Sequence, residues 1–373
     1  MSFYKLLKPL IFKLESEKAH NLAIDFLKYF PNLATAFSLN EKRENLCQNI
    51  CGFEFENPVG MSAGFDKNAQ IVKALHKFGF GFVEAGTVTP MPQAGNDKPR
   101  IFRLEKDEAI INRLGFNNKG AEFFAKNIEN LNLSIAQSGT ESGAKNNKKK
   151  IILGVNIGKN KDTQSALDDY LFLLEKFYEK ASYITLNVSS PNTKNLRDLQ
   201  DEKQLDGFLS EIMSLKDQLK IVHKKETPIW LKLAPDLTWK QQEKIAEIAL
   251  QNKISALIIS NTTIDRPESL LSFNKKEQGG LSGKPLFKQS NEVLKNFYSL
   301  TNGQIPLIGV GGISSANDVY AKIKLGASLV QIYSTLIYQG FEAVEKINKE
   351  LSQLIRRDGF ENISQAIGFE NRG

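Results

Sequence analysis

From about Asn57 onward, short apolar runs alternate with segments of helical periodicity, and the alternation recurs eight times. The runs fall at 58–62, 81–88, 151–157, 182–188, 228–233, 255–260, 305–310 and 328–333. Each is brief, apolar and bounded by turn formers, the pattern of a buried strand. Amphipathic stretches lie between them near 67–78, 118–130, 164–180, 203–220, 239–251, 285–299 and 316–325, and another follows at 336–355. Eight such units in a chain of 373 residues predict an α/β fold of the (β/α)8 barrel type rather than a doubly wound sheet. Arg100 to Arg113 is extra to the repeat and reads as a hairpin excursion between the second and third units. Residues 134–150, rich in Ser, Gly, Asn and Lys, read as a solvated insertion without a core of its own.

A barrel builds its active site where the strands open into loops at their C-terminal ends. In the fourth unit Tyr183-Ile184-Thr185-Leu186 runs into Asn187-Val188-Ser189-Ser190-Pro191-Asn192. Pro191 stops the strand, since it cannot donate to a ladder and restricts the residue before it. Alone, this stretch reads equally well as a polar turn satisfying its own backbone. The other strand ends tip the balance. The first runs into Ala63-Gly64-Phe65-Asp66-Lys67, the second into Gly86-Thr87, the third into Asn156-Ile157-Gly158 and the sixth into Ser260-Asn261-Thr262. The fifth carries Lys232 within an apolar run, which is costly unless an anion meets it. The seventh ends in Gly311-Gly312 and the eighth in Tyr333-Ser334, the positions of a barrel's phosphate cradle. Each glycine cluster by itself is explained as well by a tight turn. The whole set implies a phosphate-bearing planar cofactor, with Lys232 placed to stabilise negative charge on a reduced ring. No metal is expected, because no His/carboxylate cluster appears. His20, His76 and His223 lie away from the expected strand ends, which argues against a Ser-His-Asp hydrolase.

The net charge of +7 is spread along the chain, and Lys148-Lys149-Lys150 reads as a solvated loop, so nucleic acid is not an expected partner. Cys47 and Cys51 supply neither a zinc site nor a disulfide framework and are expected to be reduced, as in a cytosolic setting. No apolar run approaches the ~18 residues needed to span a bilayer. Residues 1–40 stand outside the repeat as an amphipathic helical segment, with 41–373 forming the barrel domain. Phe3, Leu6, Leu7, Leu10, Ile11 and Leu14 recur at helical spacing among Lys5, Lys8 and Lys13, and Pro9 is expected to bend or interrupt that helix. A second stripe, Leu22, Ala23, Phe26, Leu27 and Phe30, ends at Pro31. Such stripes dock more often on a neighbouring core than on lipid, and the flanking lysines and a position outside the repeat raise the interfacial reading.

Four stretches carry a closer likeness: Ala63 to Lys67, Asn112-Arg113-Leu114-Gly115-Phe116-Asn117-Asn118, Asn187 to Asn192, and Gly279-Gly280-Leu281-Ser282-Gly283. With the amphipathic start, they make the chain resemble the dihydroorotate dehydrogenases, specifically the membrane-associated, quinone-using class, over nearly its whole length. The resemblance implies oxidation of (S)-dihydroorotate to orotate in pyrimidine biosynthesis, with hydride passing to FMN and a membrane quinone as final acceptor. It implies FMN contacts at Ala63, Gly64, Phe65, Asp66, Lys67, Thr87, Asn156, Asn187, Lys232, Ser260, Gly283, Gly312, Tyr333 and Ser334. Substrate contacts are implied at Lys67, Asn112, Arg113, Leu114, Gly115, Phe116, Asn187, Asn192, Asn261 and Thr262. Ser190 matches the active-site base, where the soluble class carries cysteine, and residues 193–203 are the candidate lid. His20 and Arg103 match positions beside a quinone tunnel. The location implied is the cytoplasmic side of the cell membrane, if the chain is bacterial, as a peripheral protein that needs no partner protein. Ser260 departs from the family's usual threonine but keeps the hydroxyl, and the tail after about Arg357 has no assignment. Two other readings compete. One is an FMN barrel using nicotinamide or fumarate, opposed by Ser190 and the N-terminal helices. The other is a non-catalytic phosphate-binding membrane scaffold, which would require neither Ser190 nor the asparagines.

Overall fold

The structure is a computed structural model describing residues 3–35, 41–131, 135–138 and 150–372. Eight parallel strands close on themselves: β1 (Val59–Met61), β2 (Phe82–Val88), β3 (Leu153–Ile157), β4 (Tyr183–Asn187), β5 (Ile229–Leu233), β6 (Ala256–Ile259), β7 (Leu307–Val310) and β8 (Ala327–Ile332). Each falls within one of the eight apolar runs or overlaps it to within a residue. The barrel seals where Val330 and Ile332 of β8 pair with Val59 and Met61 of β1.

Side chains alternate across a strand with period two, so every second residue enters the barrel. The lower layer is apolar and aromatic: Phe82, Tyr183, Trp230, Ile258, Ile308 and Leu329 are all inaccessible to solvent. Tyr183 stacks on Trp230 with ring centroids 3.5 Å apart. It fits only because its register partner on the adjacent strand is Gly154, where a Cβ would fall 2.2 Å from the Tyr183 ring. A hairpin of Gln48–Ile50 and Phe53–Phe55, not foreseen from the sequence, plugs the bottom with Phe53 and Phe55. Two residues further along the strands the character changes, and Glu84, Asn156, Thr185, Lys232 and Gln331 form a buried polar layer. This layer is the floor of the site.

The outer helices follow the expected pattern with two corrections. Residues 336–355 are not one helix but two, Ser334–Gln339 and Glu342–Arg357. Gly340, at φ 79°, breaks them, and the ring of Tyr4 packs where a Cβ would stand. Pro9 does not interrupt the first helix, α1 (Phe3–Ile11), because it falls in the last turn. There it removes only the bond to the carbonyl of Lys5, an exposed residue whose oxygen water can reach. α2 (Ser16–Tyr29) follows, capped by the Glu15 carboxylate accepting from the amides of Glu17 and Lys18. Residues 36–40, the end of the expected N-terminal segment, lie outside the described residues.

Ile101–Leu104 and Ala109–Asn112 form the expected hairpin, and Gly280–Gly283 adds a third antiparallel strand beside the barrel mouth. Of the expected insertion, residues 135–138 are docked rather than solvated. Ala136 joins the bottom cluster and Ser138 Oγ donates to the Cys51 carbonyl at 3.0 Å. Residues 139–149 lie outside the described set. The tail closes with 3-10 turns at Ile363–Ala366 and Phe369–Asn371, the first burying Ile363 and Ala366. Cys47 and Cys51 are free thiols.

Candidate active site

Above the polar layer, at the C-terminal ends of the strands, lies a cavity of about 1220 Å³. One small-molecule ligand occupies a cavity of ~300–1,000 Å³, so this space can hold more than one. Its floor and one wall are polar, built from strand ends. Its roof is apolar, supplied by Leu7 and Ile11 of α1 and by Leu22, Ala23 and Phe26 of α2.

The floor is organised by Glu84, a fully buried carboxylate on β2. It accepts from Asn156 Nδ2 at 2.8 Å, Gln331 Nε2 at 2.8 Å and Thr185 Oγ1 at 3.1 Å. A carboxylate only accepts, so Asn156 must turn its amide nitrogen down and its oxygen up. That oxygen takes hydrogen bonds from Thr87 Oγ1 at 2.6 Å and Asn187 Nδ2 at 3.2 Å. Asn187 Oδ1 then faces upward to receive the Ser189 hydroxyl at 3.1 Å and Asn261 Nδ2 at 3.3 Å. One buried charge thereby sets the sense of a chain of amides that ends at the cavity wall. Lys232, on β5, reaches Ser62 Oγ at 3.4 Å. Burial pulls its ammonium below the usual lysine range, against the opposing pull of the Glu84 charge.

Ser190 is buried at the cavity edge, its Oγ accepting from the Asn192 amide at 3.2 Å. Asn192 Nδ2 donates to Asn112 Oδ1 at 3.4 Å, which links this loop to the extra hairpin. Arg197 braces the loop from behind: Nε donates to the Ser189 carbonyl at 3.0 Å, Nη2 to the Thr262 carbonyl at 3.0 Å and Nη1 to Asp236 at 2.7 Å. The expected lid segment therefore includes a short turn, Arg197–Gln200, that is tied to two strand ends.

On the other side Lys67 Nζ lies 3.1 Å from His20 Nε2 on α2. Enclosure lowers the Lys67 ammonium to about 8, and burial with the Lys67 charge holds His20 well below the usual imidazole range. His20 is distant from the strand ends in sequence yet reaches the first of them in space, correcting the expectation drawn from its position. One turn earlier on α2, Glu17 forms a buried two-point ion pair with Arg100 at 2.6 and 3.0 Å. Arg103 donates to the carbonyls of Phe12 and Leu14 in the turn between α1 and α2.

Of the residues singled out in the sequence, Ser190, Ala63, Gly64, Phe65, Lys67, Thr87, Asn187, Lys232, Ser260, Gly283, Gly312, Tyr333 and Ser334 line this one cavity. So do Asn112, Leu114, Gly115, Phe116, Asn192, Asn261, Thr262, His20 and Arg103. Three do not. Asp66 turns inward to accept the amides of Gln70 and Ile71, Asn156 lies beneath the wall, and Arg113 points away to Glu277 at 2.8 Å. Glu84 and Gln331 went unnoticed in the sequence. The argument that singled out Lys232, an ionisable group inside an apolar strand, applies equally to Glu84 in Phe82-Val83-Glu84-Ala85.

A closed parallel barrel with an amide-lined cavity at its strand ends is the architecture of a (β/α)8-barrel enzyme. The chain belongs to the dihydroorotate dehydrogenase family, whose model matches residues 45–355. It is 44% identical to the dihydroorotate dehydrogenase (quinone) of Bradyrhizobium sp. strain ORS 278 over 370 residues, covering 98% of this chain and 96% of the relative. It is 46% identical over 347 residues to the protein of the same name from Shewanella sp. strain MR-4, covering 92% and 98%. Among solved structures, DHODH from Eimeria tenella in complex with ferulenol superposes with a TM-score of 0.85 at 40% identity, covering 95% of this chain and 96% of the other.

Proposed function

We infer that this chain oxidises dihydroorotate to orotate for pyrimidine biosynthesis and passes the electrons to a quinone. The observation that carries this reading is a single cavity with an amide-and-lysine floor at the strand ends and an apolar roof between two amphipathic helices. A polar planar substrate suits the first part and a lipid-soluble acceptor the second.

The cofactor proposed is FMN. The residues present fit it. Gln331 Oε1 is buried at the cavity without a hydrogen-bond partner among the described residues, and Lys232 offers a cation on the same floor. Gly311 and Gly312, at φ 108° and 73°, bring backbone close to the cavity opposite Tyr333 and Ser334, where a phosphate would sit. When bound, the flavin supplies the hydride acceptor for substrate oxidation and the electron donor for the quinone. Asn112, Asn192 and Asn261 would read the substrate's amide and carboxylate edges, with Lys67 as counter-charge. Ser190 would take the proton from the substrate's C5 as the C6 hydride leaves, so that a carbon–carbon double bond forms between them. Serine is a weak base, and its burial together with the Arg197 brace holds it in place and away from water.

α1 and α2 would form the membrane-facing segment. Leu6, Leu10, Leu22, Phe26 and Phe30 are all roughly half exposed or more, beside Lys5, Lys13, Lys18 and Lys28. Among the described residues no helix is long and apolar enough to cross a membrane. The proposed location is peripheral, on the cytoplasmic face of the cell membrane if the chain is bacterial.

A visible spectrum of the purified protein, taken anaerobically before and after dihydroorotate, tests the reading. Flavin absorption that bleaches with substrate and returns with a quinone is the expected result. A colourless protein, or a flavin indifferent to dihydroorotate, would overturn it.

A further inference from the structure

Lys322, on the helix Ala316–Lys324, is fully buried and plays no part in the chemistry above. Its ammonium donates to Ser290 Oγ at 2.8 Å and Asn291 Oδ1 at 2.7 Å, both on the helix Phe287–Leu300. Ser290 Oγ in turn has two carbonyls within reach of its one proton, Phe287 at 3.0 Å and Gly311 at 3.1 Å, and so bridges the helix to the glycine turn. A Gly311 carbonyl engaged by Ser290 is held on the helix side of the turn, and Gly311 and Gly312 line the cavity on the other. Gly312 packs so closely on the start of the Phe287–Leu300 helix that a Cβ there would stand 2.6 Å from the Phe287 nitrogen. That helix continues the short turn Lys284–Leu286, with the Phe287 amide donating to the Lys284 carbonyl, and the glycine turn packs against this junction at the cavity edge. A buried cation with neutral oxygens as its hydrogen-bond partners is costly by itself. It becomes favourable if an anion comes to rest nearby.

We propose that Lys322 is the buried cation of the phosphate site, holding the Gly311–Gly312 turn through Ser290 and lending its charge to the phosphate of FMN. The inference rests on the flavin reading and deepens it. It predicts that the site discriminates FMN from riboflavin chiefly through a residue that never touches the cavity. Burial also lowers the Lys322 ammonium to about 7, with Asp318, one turn earlier on the same helix, the charge that opposes the shift. The other elements against it present Ser290, Asn291, Phe287, Gly309 and Ala327, none of which titrates. An arriving phosphate dianion would raise that value, so binding at pH 8 should take up a proton.

The test compares the full chain, stripped of flavin, with its Lys322→Met and Lys322→Gln variants. Dissociation constants for FMN and for riboflavin are measured by fluorescence, and proton uptake by calorimetry in two buffers at pH 8. Loss of one charge-assisted contribution should lower the FMN-to-riboflavin preference about tenfold or more, with riboflavin affinity nearly unchanged. Proton uptake on FMN binding should vanish in both variants. An equal loss for both flavins would mean that Lys322 is only a packing post, and an unaltered preference would exclude any electrostatic role. If Lys322→Met does not fold, Lys322→Gln, which keeps a donor for Ser290, decides the matter alone. An unmodified chain that binds neither flavin would bring down the flavin reading itself. A chain that discriminates, with variants that discriminate equally, would bring down only this inference.

Discussion

Lys67 and His20 meet at 3.1 Å, and that contact joins the end of the first barrel strand to the second N-terminal helix. The polar floor and the apolar roof of the cavity touch here. Two basic groups this close cannot both carry a proton cheaply, and both are held below their ordinary values.

The Lys67 shift has a consequence for stability. A lysine at about 8 in the folded chain against 10.5 unfolded makes the unfolded state bind more protons between those values. The penalty on the fold is therefore fully present below about pH 8 and is relieved as pH rises towards 10.5. Lys67→Met in the flavin-free chain should be the more stable protein at pH 7, by roughly 1–3 kcal/mol. The gap should narrow towards pH 10 in urea titrations. A gap that widened with pH would contradict the assignment.

Ser190→Ala should keep its flavin and bind orotate but bleach far more slowly with dihydroorotate. General-base contributions are ~10²–10⁴-fold in rate. Anaerobic stopped-flow absorbance reads this half-reaction directly, and near-normal bleaching would remove Ser190 from the role.

Glu84→Gln exchanges an acceptor-only group for one with donors of its own, facing four donors already in place. The amide chain from Asn156 to Asn261 would lose its enforced direction. Destabilisation of about 1–3 kcal/mol is expected, together with weaker flavin binding. Equilibrium unfolding and flavin titration of the same preparation would check both, and a variant equal to the parent in each would mean the network is incidental.

Arg100→Ala leaves the buried Glu17 carboxylate with only the exposed Lys98, at 3.6 Å, for a cation, a loss of up to ~3–5 kcal/mol borne by the docking of α2. Flavin reduction by dihydroorotate should survive while reduction of a long-chain quinone slows and α2 exchanges its amides faster. Arg100 also holds Glu17 below the usual carboxylate range. The contribution is thus present above the unfolded value of about 4.5 and is lost as pH falls through the lower folded one. Equal damage to both half-reactions would show that α2 merely caps the barrel.

Deleting residues 1–40 should weaken binding to liposomes and slow long-chain quinone reduction, leaving flavin reduction much less affected. Co-sedimentation with vesicles and separate half-reaction rates measure this, and undiminished quinone reduction would refute the membrane-entry role.

Strand and helix periodicity by themselves determined the eight barrel units, because local apolar spacing is what a buried strand or an amphipathic helix requires. The strand-end residues from Ala63 to Ser334 were legible for the same reason, since a barrel delivers all its C-terminal ends to one mouth. Only the tertiary structure decided which side chains turn into that mouth. Arg113 stands between Asn112 and Leu114, yet it leaves the cavity for Glu277, a partner 164 residues on. His20 reaches Lys67 across 47 residues, and Glu84 acquires its meaning from donors on three other strands. Hydrogen bonds and ion pairs between distant segments have no period in the chain, so their partners become visible only once the barrel has closed.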